Sequence, residues 1–283
     1  MPGPGSKFRE IVDAEKRADW NLVVELEKAS VREACGMEFR WQQLGTALAK
    51  ANRPAEAIQV LEEMEARGFE LNPSPGMLSP ELLALMGTPA FQGTPAGQRI
   101  GELRRISDNR RAVFLEQLEQ MPAGQKPPKD YVAKGACPFE CCQYREWTVE
   151  KSTVLYAEPG SRKAVGTAAK GTRVRGLTGE VHLTPEPVGV VFDGEFRAGT
   201  IVFLLDYMGE GVGRVYADGK TVTAEVSGTL RYCFHPSGSC WGETLFPPDA
   251  GRKSVWWVRV RLGNGVVGWT DQADSFGNRD ACG

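Results

Sequence analysis

The chain has 283 residues, a formal net charge of −2 and a pI of about 5.9. This balance holds no basic excess, so we expect neither nucleic acid nor an anionic membrane surface as a partner. The length suits two modest domains better than one small core. No apolar run reaches the roughly 18–20 residues that cross a bilayer, so we expect no membrane-spanning segment.

The start of the chain, MPGPGSKFREIVD, lacks the apolar core of a signal peptide. We therefore expect residues 1–7 to be disordered or to belong to a tag. Two locations stay open. The protein is periplasmic or secreted if a leader was removed, and it is cytoplasmic otherwise.

Residues 8–121 have the apolar spacing of helices. Apolar residues recur every three or four positions between charged ones, as in Leu22, Val23, Leu26 and Ala29. The proline- and lysine-rich stretch QMPAGQKPPKDY, at 120–131, interrupts this pattern. We therefore predict a helical domain over 8–121 and a linker over 122–135.

Beyond Trp147 the apolar period changes to two. In VWWVRVRL (255–262) one face carries Trp256, Val258, Val260 and Leu262, and the glycines of GNG (263–265) then predict a hairpin turn. Asp218-Gly219 predicts a second hairpin. The fold class is therefore α+β as separate domains, with antiparallel helical hairpins followed by a small antiparallel β-barrel over 136–283.

Part of the helical region resembles a tetratricopeptide repeat. The pattern W-x2-L-G-x2-L, followed by small and large apolar residues, is formed by Trp41, Leu44, Gly45, Leu48, Ala57 and Leu61. The resemblance implies that Gly45 lets two helices approach closely, that Ala57 fits their crossing and that Trp41 covers the end of the pair. It also implies either a groove for a peptide or a scaffold that orients the β domain.

The β region resembles a bacterial SH3-like (SH3b) domain at both of its ends. Residues 146–181 hold a strand, a Pro159-Gly160 turn and KGTRV, and residues 256–270 match the closing hairpin. About 75 residues separate these two parts, including a strand pair around Gly209-Glu210-Gly211 with Glu210 as a turn residue. We predict either one elaborated barrel or two fused units.

The SH3b resemblance implies non-catalytic binding of cell-wall peptides or glycans, with exposed aromatic rings as the contacts. The candidate ligand-binding residues are Tyr144, Trp147, Tyr207, Tyr216, Trp241 and Trp257. Each could instead belong to the core of a small barrel. Trp256 and Trp269 are predicted to be core residues.

Six of the seven cysteines lie in or just before the β region. They are Cys137, Cys141, Cys142, Cys233, Cys240 and Cys282, an even number that favours three disulfides tying distant segments together. Cys35 is predicted to be a buried apolar thiol. A zinc site on these cysteines and His235 is one alternative, and a catalytic thiol beside His182 or His235 is another.

The sequence therefore favours a non-enzymatic binding or scaffold protein of the bacterial envelope, with a peptide, protein or cell-wall component as its partner. We expect no catalytic constellation, no metal and no cofactor. The first alternative is an intracellular adaptor with reduced cysteines and a structural zinc. The second is an enzyme with a site in the inserted β region.

Overall fold

A computed structural model of the chain describes residues 4–74, 76–139, 141–234, 240–247 and 253–281, with side chains from residue 8 onward. The chain divides into two compact units. The helical unit comprises Met1–Arg110 and Leu230–Phe234, and the strand unit comprises Arg111–Thr229 and His235–Gly283. The prediction of N-terminal helices followed by antiparallel strands is confirmed.

Seven α-helices lie within the described residues. They are α1 (Pro4–Lys16), α2 (Trp20–Glu33), α3 (Glu38–Lys50), α4 (Pro54–Ala66), α5 (Pro80–Met86), α6 (Pro89–Gln92) and α7 (Pro95–Gln120). Consecutive helices from α1 to α4 pack against each other, and α5 packs on α3. Helix α7 continues past Arg110, so its last turns belong to the strand unit.

Local signals fix where these helices begin. The Asp19 carboxylate accepts a hydrogen bond from the Leu22 amide at 3.2 Å, which caps α2. Pro54 occupies the first turn of α4, where its missing N–H costs nothing. A Cβ added to Gly45 would lie 3.2 Å from a Leu82 methyl group, so the glycine allows the close approach of α5.

The buried stripe of α2 differs from the predicted one. The sequence suggested Leu22, Val23, Leu26 and Ala29, but the residues that are buried are Val23, Val24, Glu27, Ser30 and Val31. Leu22 is 40% exposed. The buried face of α2 is therefore rotated relative to the predicted face, and it includes the acidic residue Glu27.

Two predicted segment boundaries also differ from the structure. Helix α1 begins at Pro4, within the range 1–7 that was expected to be disordered or a tag. The predicted linker over 122–135 contains a 3-10 turn at Ala123–Gln125 and a paired strand at Tyr131–Lys134. The prolines kept this range from being helical without excluding the strand at its end.

The strand unit holds two antiparallel sheets. The strands are β1 (Tyr131–Lys134), β2 (Glu146–Val149), β3 (Thr153–Tyr156), β4 (Ala164–Ala168), β5 (Arg173–Leu183), β6 (Glu186–Val190), β7 (Ile201–Gly209), β8 (Val212–Ala217), β9 (Lys220–Glu225), β10 (Thr229–Leu230), β11 (Gly242–Thr244), β12 (Ser254–Leu262), β13 (Val267–Thr270) and β14 (Phe276–Gly277). The first sheet has the order β14-β2-β5-β12-β13-β3-β4, with β1 also paired to β5. The second has the order β10-β11-β6-β7-β8-β9.

The predicted hairpins are confirmed. Strands β12 and β13 pair across the turn at 263–265, and β8 and β9 pair across Asp218-Gly219, whose φ angles of 49° and 78° suit a primed turn. Glu210 lies in the turn between β7 and β8 with a φ of 52°. Turn chemistry therefore sets the register of these strand pairs.

Each sheet buries its own apolar cluster. In the first sheet the cluster includes Trp147, Leu155, Val174, Val258, Val260 and Phe276. In the second it includes Val188, Val190, Val202, Leu204, Val215 and Ala224. Buried and exposed residues alternate in β2, in most of β5 and in the middle of β12, as the period of two predicts, whereas β6 and β7 are buried over consecutive residues.

Within the described residues, no helix is both long enough and apolar enough to cross a membrane.

Candidate functional site

One disulfide joins Cys137 to Cys142, with their Cα atoms 5.6 Å apart. The partners are five positions apart in the chain, so this bond closes a small loop. The prediction that Cys142 reaches a distant segment is therefore wrong. A loop this short is expected to stabilise the fold by about 2 kcal/mol in the chain-entropy description.

The other described cysteines are either disulfide-bonded or free. Cys141, Cys233 and Cys240 are each disulfide-bonded. Cys282 and His235, which the sequence placed in a disulfide and in a zinc or catalytic site, lie outside the described residues. Cys35 is free and exposed, so the prediction of a buried thiol is wrong. It lies in the turn between α2 and α3.

These assignments predict the alkylation pattern. Under native, non-reducing conditions iodoacetamide should modify Cys35 and leave the five bonded, described cysteines unmodified, because only a free thiol can react. Peptide mapping by mass spectrometry measures this, and Cys35→Ser should remove the signal. Modification of Cys137 or Cys142 without reductant would contradict the disulfide.

A cleft of about 620 Å³ opens beside the Cys137–Cys142 loop. Its walls come from that loop, from β12 and from the C-terminal residues 274–281. The C-terminal segment is fixed by backbone pairing, since the Gln143 amide donates to the Arg279 carbonyl at 2.9 Å and the Ala281 amide donates to the Cys141 carbonyl at 2.8 Å. The disulfide and this pairing therefore hold two sides of the cleft together.

Arg279 lies between aromatic rings in the wall of this cleft. Its guanidinium carbon is 5.8 Å from the ring centroids of both Phe139 and Trp256, within range for cation–π attraction. The two rings meet edge to face at 5.7 Å. One guanidinium nitrogen contacts the Asp274 carboxylate at 3.1 Å. Because the Asp274 side chain is 94% exposed, this ion pair is worth little and can exchange.

Arg145 supports the cleft from its other wall. Its guanidinium donates to the Asn278 side-chain oxygen at 2.8 Å, to the Asn278 carbonyl at 3.0 Å and to the Asp280 carbonyl at 2.6 Å. These hydrogen bonds occupy N–H donors of Arg145 and hold the C-terminal segment in its conformation. Arg145 therefore positions the residues on either side of Arg279, while Arg279 faces the cleft.

Two of the predicted ligand-binding aromatics lie behind the cleft. Trp147 is fully buried, and its ring packs 5.6 Å from Phe276 and 6.4 Å from Trp256. It is a core residue, and the prediction that it offers an exposed ring is wrong. Tyr144 is half-buried and its hydroxyl donates to the Ala136 carbonyl. Burial raises the pKa of Tyr144 to about 12, against a smaller opposing effect of the hydrogen bond from Trp256.

The other predicted aromatics are spread over both sheets. Tyr207 is 38% exposed and its hydroxyl accepts a hydrogen bond from the Gly211 amide at 3.0 Å, which shapes the β7–β8 turn. Tyr216 is half-buried and packs against Phe203, and Trp257 is half-buried between Tyr156 and His182. The structure does not bring these rings to the cleft.

Trp241 belongs to a second, smaller cavity of about 220 Å³ in the strand unit. Its ring lies 5.4 Å from that of Phe196 at an interplanar angle of 44°, and Glu195 and Glu225 also line the cavity. The Trp241 carbonyl accepts from the Val191 amide at 2.9 Å, which fixes the loop that follows β6. Trp241 is thus a predicted aromatic that lines a cavity.

Sequence reasoning did not identify the residues on which the larger cleft depends, and it also assigned the half-buried Trp269, which lies outside the cleft, to the core. Trp256 was assigned to the core, but it is half-buried and lines the cleft. Trp269, also assigned to the core, is half-buried with Arg259 5.9 Å from its ring. Phe139 and Arg279 were not singled out. The position of Phe139 between Cys137 and Cys142 is a signal that could have found it, because a small disulfide loop must expose part of its side chains.

The described residues hold no group of three or more histidine, cysteine, aspartate or glutamate side chains arranged to bind a metal ion. His182 lies on β5 with a ring nitrogen 3.2 Å from the Glu180 carboxylate. Comparisons of the chain with protein-family models, with curated proteins and with solved structures found no match. The functional argument therefore depends on the geometry of the clefts.

Proposed function

We propose that the chain is a non-enzymatic binding protein of the bacterial envelope. Its strand unit is an SH3b-like module that recognises a cell-wall peptide, and its helical, tetratricopeptide-like unit serves protein–protein interaction. The observation that carries the proposal is Arg279, placed between Phe139 and Trp256 in a cleft of about 620 Å³.

Arg279 is the group in the cleft that would bind a ligand carboxylate, in a lining that also includes the acidic residues Glu150, Asp274 and Asp280. A guanidinium binds a carboxylate through two parallel N–H donors, and flat rings beside it contact the peptide without a large entropic cost. A ligand carboxylate would replace Asp274, whose exposed side chain binds Arg279 only weakly. Peptides of the cell wall carry such carboxylates beside apolar groups.

The disulfides support an extracytoplasmic location. The Cys137–Cys142 bond closes the loop that presents Phe139, so the wall of the cleft depends on oxidised cysteines. Stable disulfides are typical of oxidising compartments. The periplasm or the cell exterior is accordingly the location that we propose.

The experiment is sedimentation of the purified chain with purified peptidoglycan over a range of protein concentrations. Arg279→Gln should weaken binding by about tenfold, because a charge-assisted hydrogen bond to the ligand is lost. Phe139→Ala should weaken it less, because it removes only ring contacts. Arg173→Gln is the matched control, since Arg173 is 76% exposed on β5 and does not line the cleft.

Wild-type protein that stays in the supernatant would argue against a cell-wall ligand. Equal binding of Arg279→Gln and of wild type would argue against this cleft. Circular dichroism of each variant checks that the fold is kept. Loss of binding after mild reduction of the protein would agree with the dependence on the Cys137–Cys142 loop.

A further inference from the structure

Glu27 is an acidic residue in the core of the helical unit. It lies on α2 with 1% of its surface exposed, among Val23, Val24 and Val31. Its Oε2 atom has no hydrogen-bond partner among the described residues. A buried carboxylate oxygen without a partner costs a protein more than an exposed one, because the lost hydration is not replaced.

A cavity of about 230 Å³ adjoins this carboxylate. Its walls include the rings of Trp20 and Phe39, and polar atoms come from Gln42 and Ser79. Glu15 adds a second acidic side chain to the lining. The cavity therefore combines two carboxylates with aromatic and polar walls, and Phe39, which is 57% exposed, gives it a side open to solvent.

The neighbouring cations of the helical unit have hydrogen-bond or ion-pair partners other than Glu27, although Arg40 is near enough for its charge to lower the pKa of Glu27. Arg40 donates to the Gln43 side-chain oxygen at 3.0 Å, and Lys28 pairs with Glu25 and Glu56 at 3.3 and 3.5 Å. Lys50 lies over the Trp20 ring at 4.6 Å and pairs with Glu81. None of the ion pairs described for the helical unit includes Glu27.

We propose that this cavity binds the side chain of a lysine residue presented by a partner peptide, with the ammonium group on the carboxylate of Glu27. An ammonium is compact and supplies three donors, enough for Oε2 and for neighbouring polar atoms. Its methylene stem would lie against Trp20 and Phe39.

This inference deepens the protein–protein role proposed above for the helical unit and rests on it. It assigns the specificity of that unit to a basic residue. The peptidoglycan assay concerns the strand unit, so the two sets of results can differ.

The test uses two peptides and the full chain at about pH 8. The probes are acetyl-Ala-Lys-Ala-amide and the same peptide with norleucine, which keeps the stem and removes the charge. Binding is measured by isothermal titration or by peptide-induced NMR shifts. We expect the lysine peptide to bind wild type at least about tenfold more tightly than the norleucine peptide.

The variants locate the binding. Glu27→Gln should reduce the affinity for the lysine peptide by about tenfold, because it removes the charge and keeps the shape. Glu25→Gln on the same helix is the control, since the Glu25 side chain is 65% exposed and does not line the cavity. Circular dichroism confirms that each variant is folded.

Equal affinities for the two peptides, or equal affinities of wild type and Glu27→Gln, would overturn the inference. The absence of saturable binding would do the same. Arg279→Gln should bind the lysine peptide as wild type does. If the lysine peptide does not bind but peptidoglycan still binds in an Arg279-dependent way, only the lysine-binding inference is wrong. If the lysine peptide binds and peptidoglycan does not, only the proposal of a cell-wall ligand is wrong.

Discussion

Replacing Trp147 by alanine is expected to lower the free energy of unfolding of the strand unit by about 3–5 kcal/mol. The ring is fully buried, and it contacts Tyr144, Trp256 and Phe276 at centroid distances of 5.6 to 6.4 Å. Its indole N–H donates to the Gln143 carbonyl at 2.9 Å, so the variant also leaves that carbonyl without its partner. Urea denaturation followed by near-UV circular dichroism measures the change.

Two further variants test the physical reason for this loss. Trp257→Ala should lower the free energy of unfolding by less than about 1.5 kcal/mol, because Trp257 is half-buried and lies on the face of β12 opposite to Trp256. In Gly176→Ala the new Cβ would lie 2.8 Å from two ring carbons of Trp147, so overpacking should cost about 1–3 kcal/mol. Equal effects of Trp147→Ala and Trp257→Ala would contradict the assignment of Trp147 to the core.

The same ring connects stability with the cleft. Trp147 supports Trp256 from behind, and Trp256 forms the wall that faces Arg279. A cavity at position 147 should therefore let Trp256 move and weaken binding in the cleft. The sequence prediction named Trp147 as a ligand-binding residue, whereas in the structure Trp147 is buried and Trp256 lines the cleft.

Local patterns identified the helical region and several of the strands and hairpins. Apolar spacing identified the helices, and the alternation of β12 identified its buried face at Val258 and Val260. Asp218-Gly219 identified a hairpin because it provides the positive φ angles that the turn requires. These features depend on residues that are close in sequence, so they can be recognised from the sequence alone.

The cleft depends on contacts between residues distant in sequence. Phe139 and Arg279 are brought together by the pairing of residues 141–143 with the C-terminal segment, which no local pattern encodes. The cysteine spacing likewise left open the partner of Cys142, which proved to be the near one. Aromatic residues could be nominated from the sequence, but their exposure is decided by packing, as Trp147 and Trp256 show.

The sequence pattern indicates that Glu27 is buried, but the predicted apolar stripe of α2 did not include this residue. It follows Val23 by four positions and precedes Val31 by four, so it lies on the same helix face as both. A stripe drawn through Leu22, Val23, Leu26 and Ala29 leaves Glu27 outside it. An acidic residue in the buried face provides less stability than an apolar residue would at that position, which agrees with a binding role.

Glu27 should make the stability of the helical unit depend on pH in an unusual direction. Burial raises the pKa of Glu27 to about 7, the charge of Arg40 opposes this rise, and the charge of Glu15 adds a smaller increase. The reference value is 4.5, so between about pH 4.5 and 7 the folded chain holds a proton that the unfolded chain has released. The contribution of Glu27 is therefore fully favourable below about pH 4.5, and it is lost as the pH rises to 7.

Glu27→Gln isolates this effect. Glutamine resembles the protonated carboxyl group, so the variant and wild type should be similar in stability near pH 4.5, whereas above about pH 7 the variant should be more stable by about 3 kcal/mol. Urea denaturation at several pH values measures the difference, and Glu25→Gln should show no such trend. A difference between Glu27→Gln and wild type that is constant with pH would contradict the raised pKa. Addition of the lysine peptide should reduce the difference at high pH, because a bound ammonium stabilises the ionised carboxylate in the folded state alone.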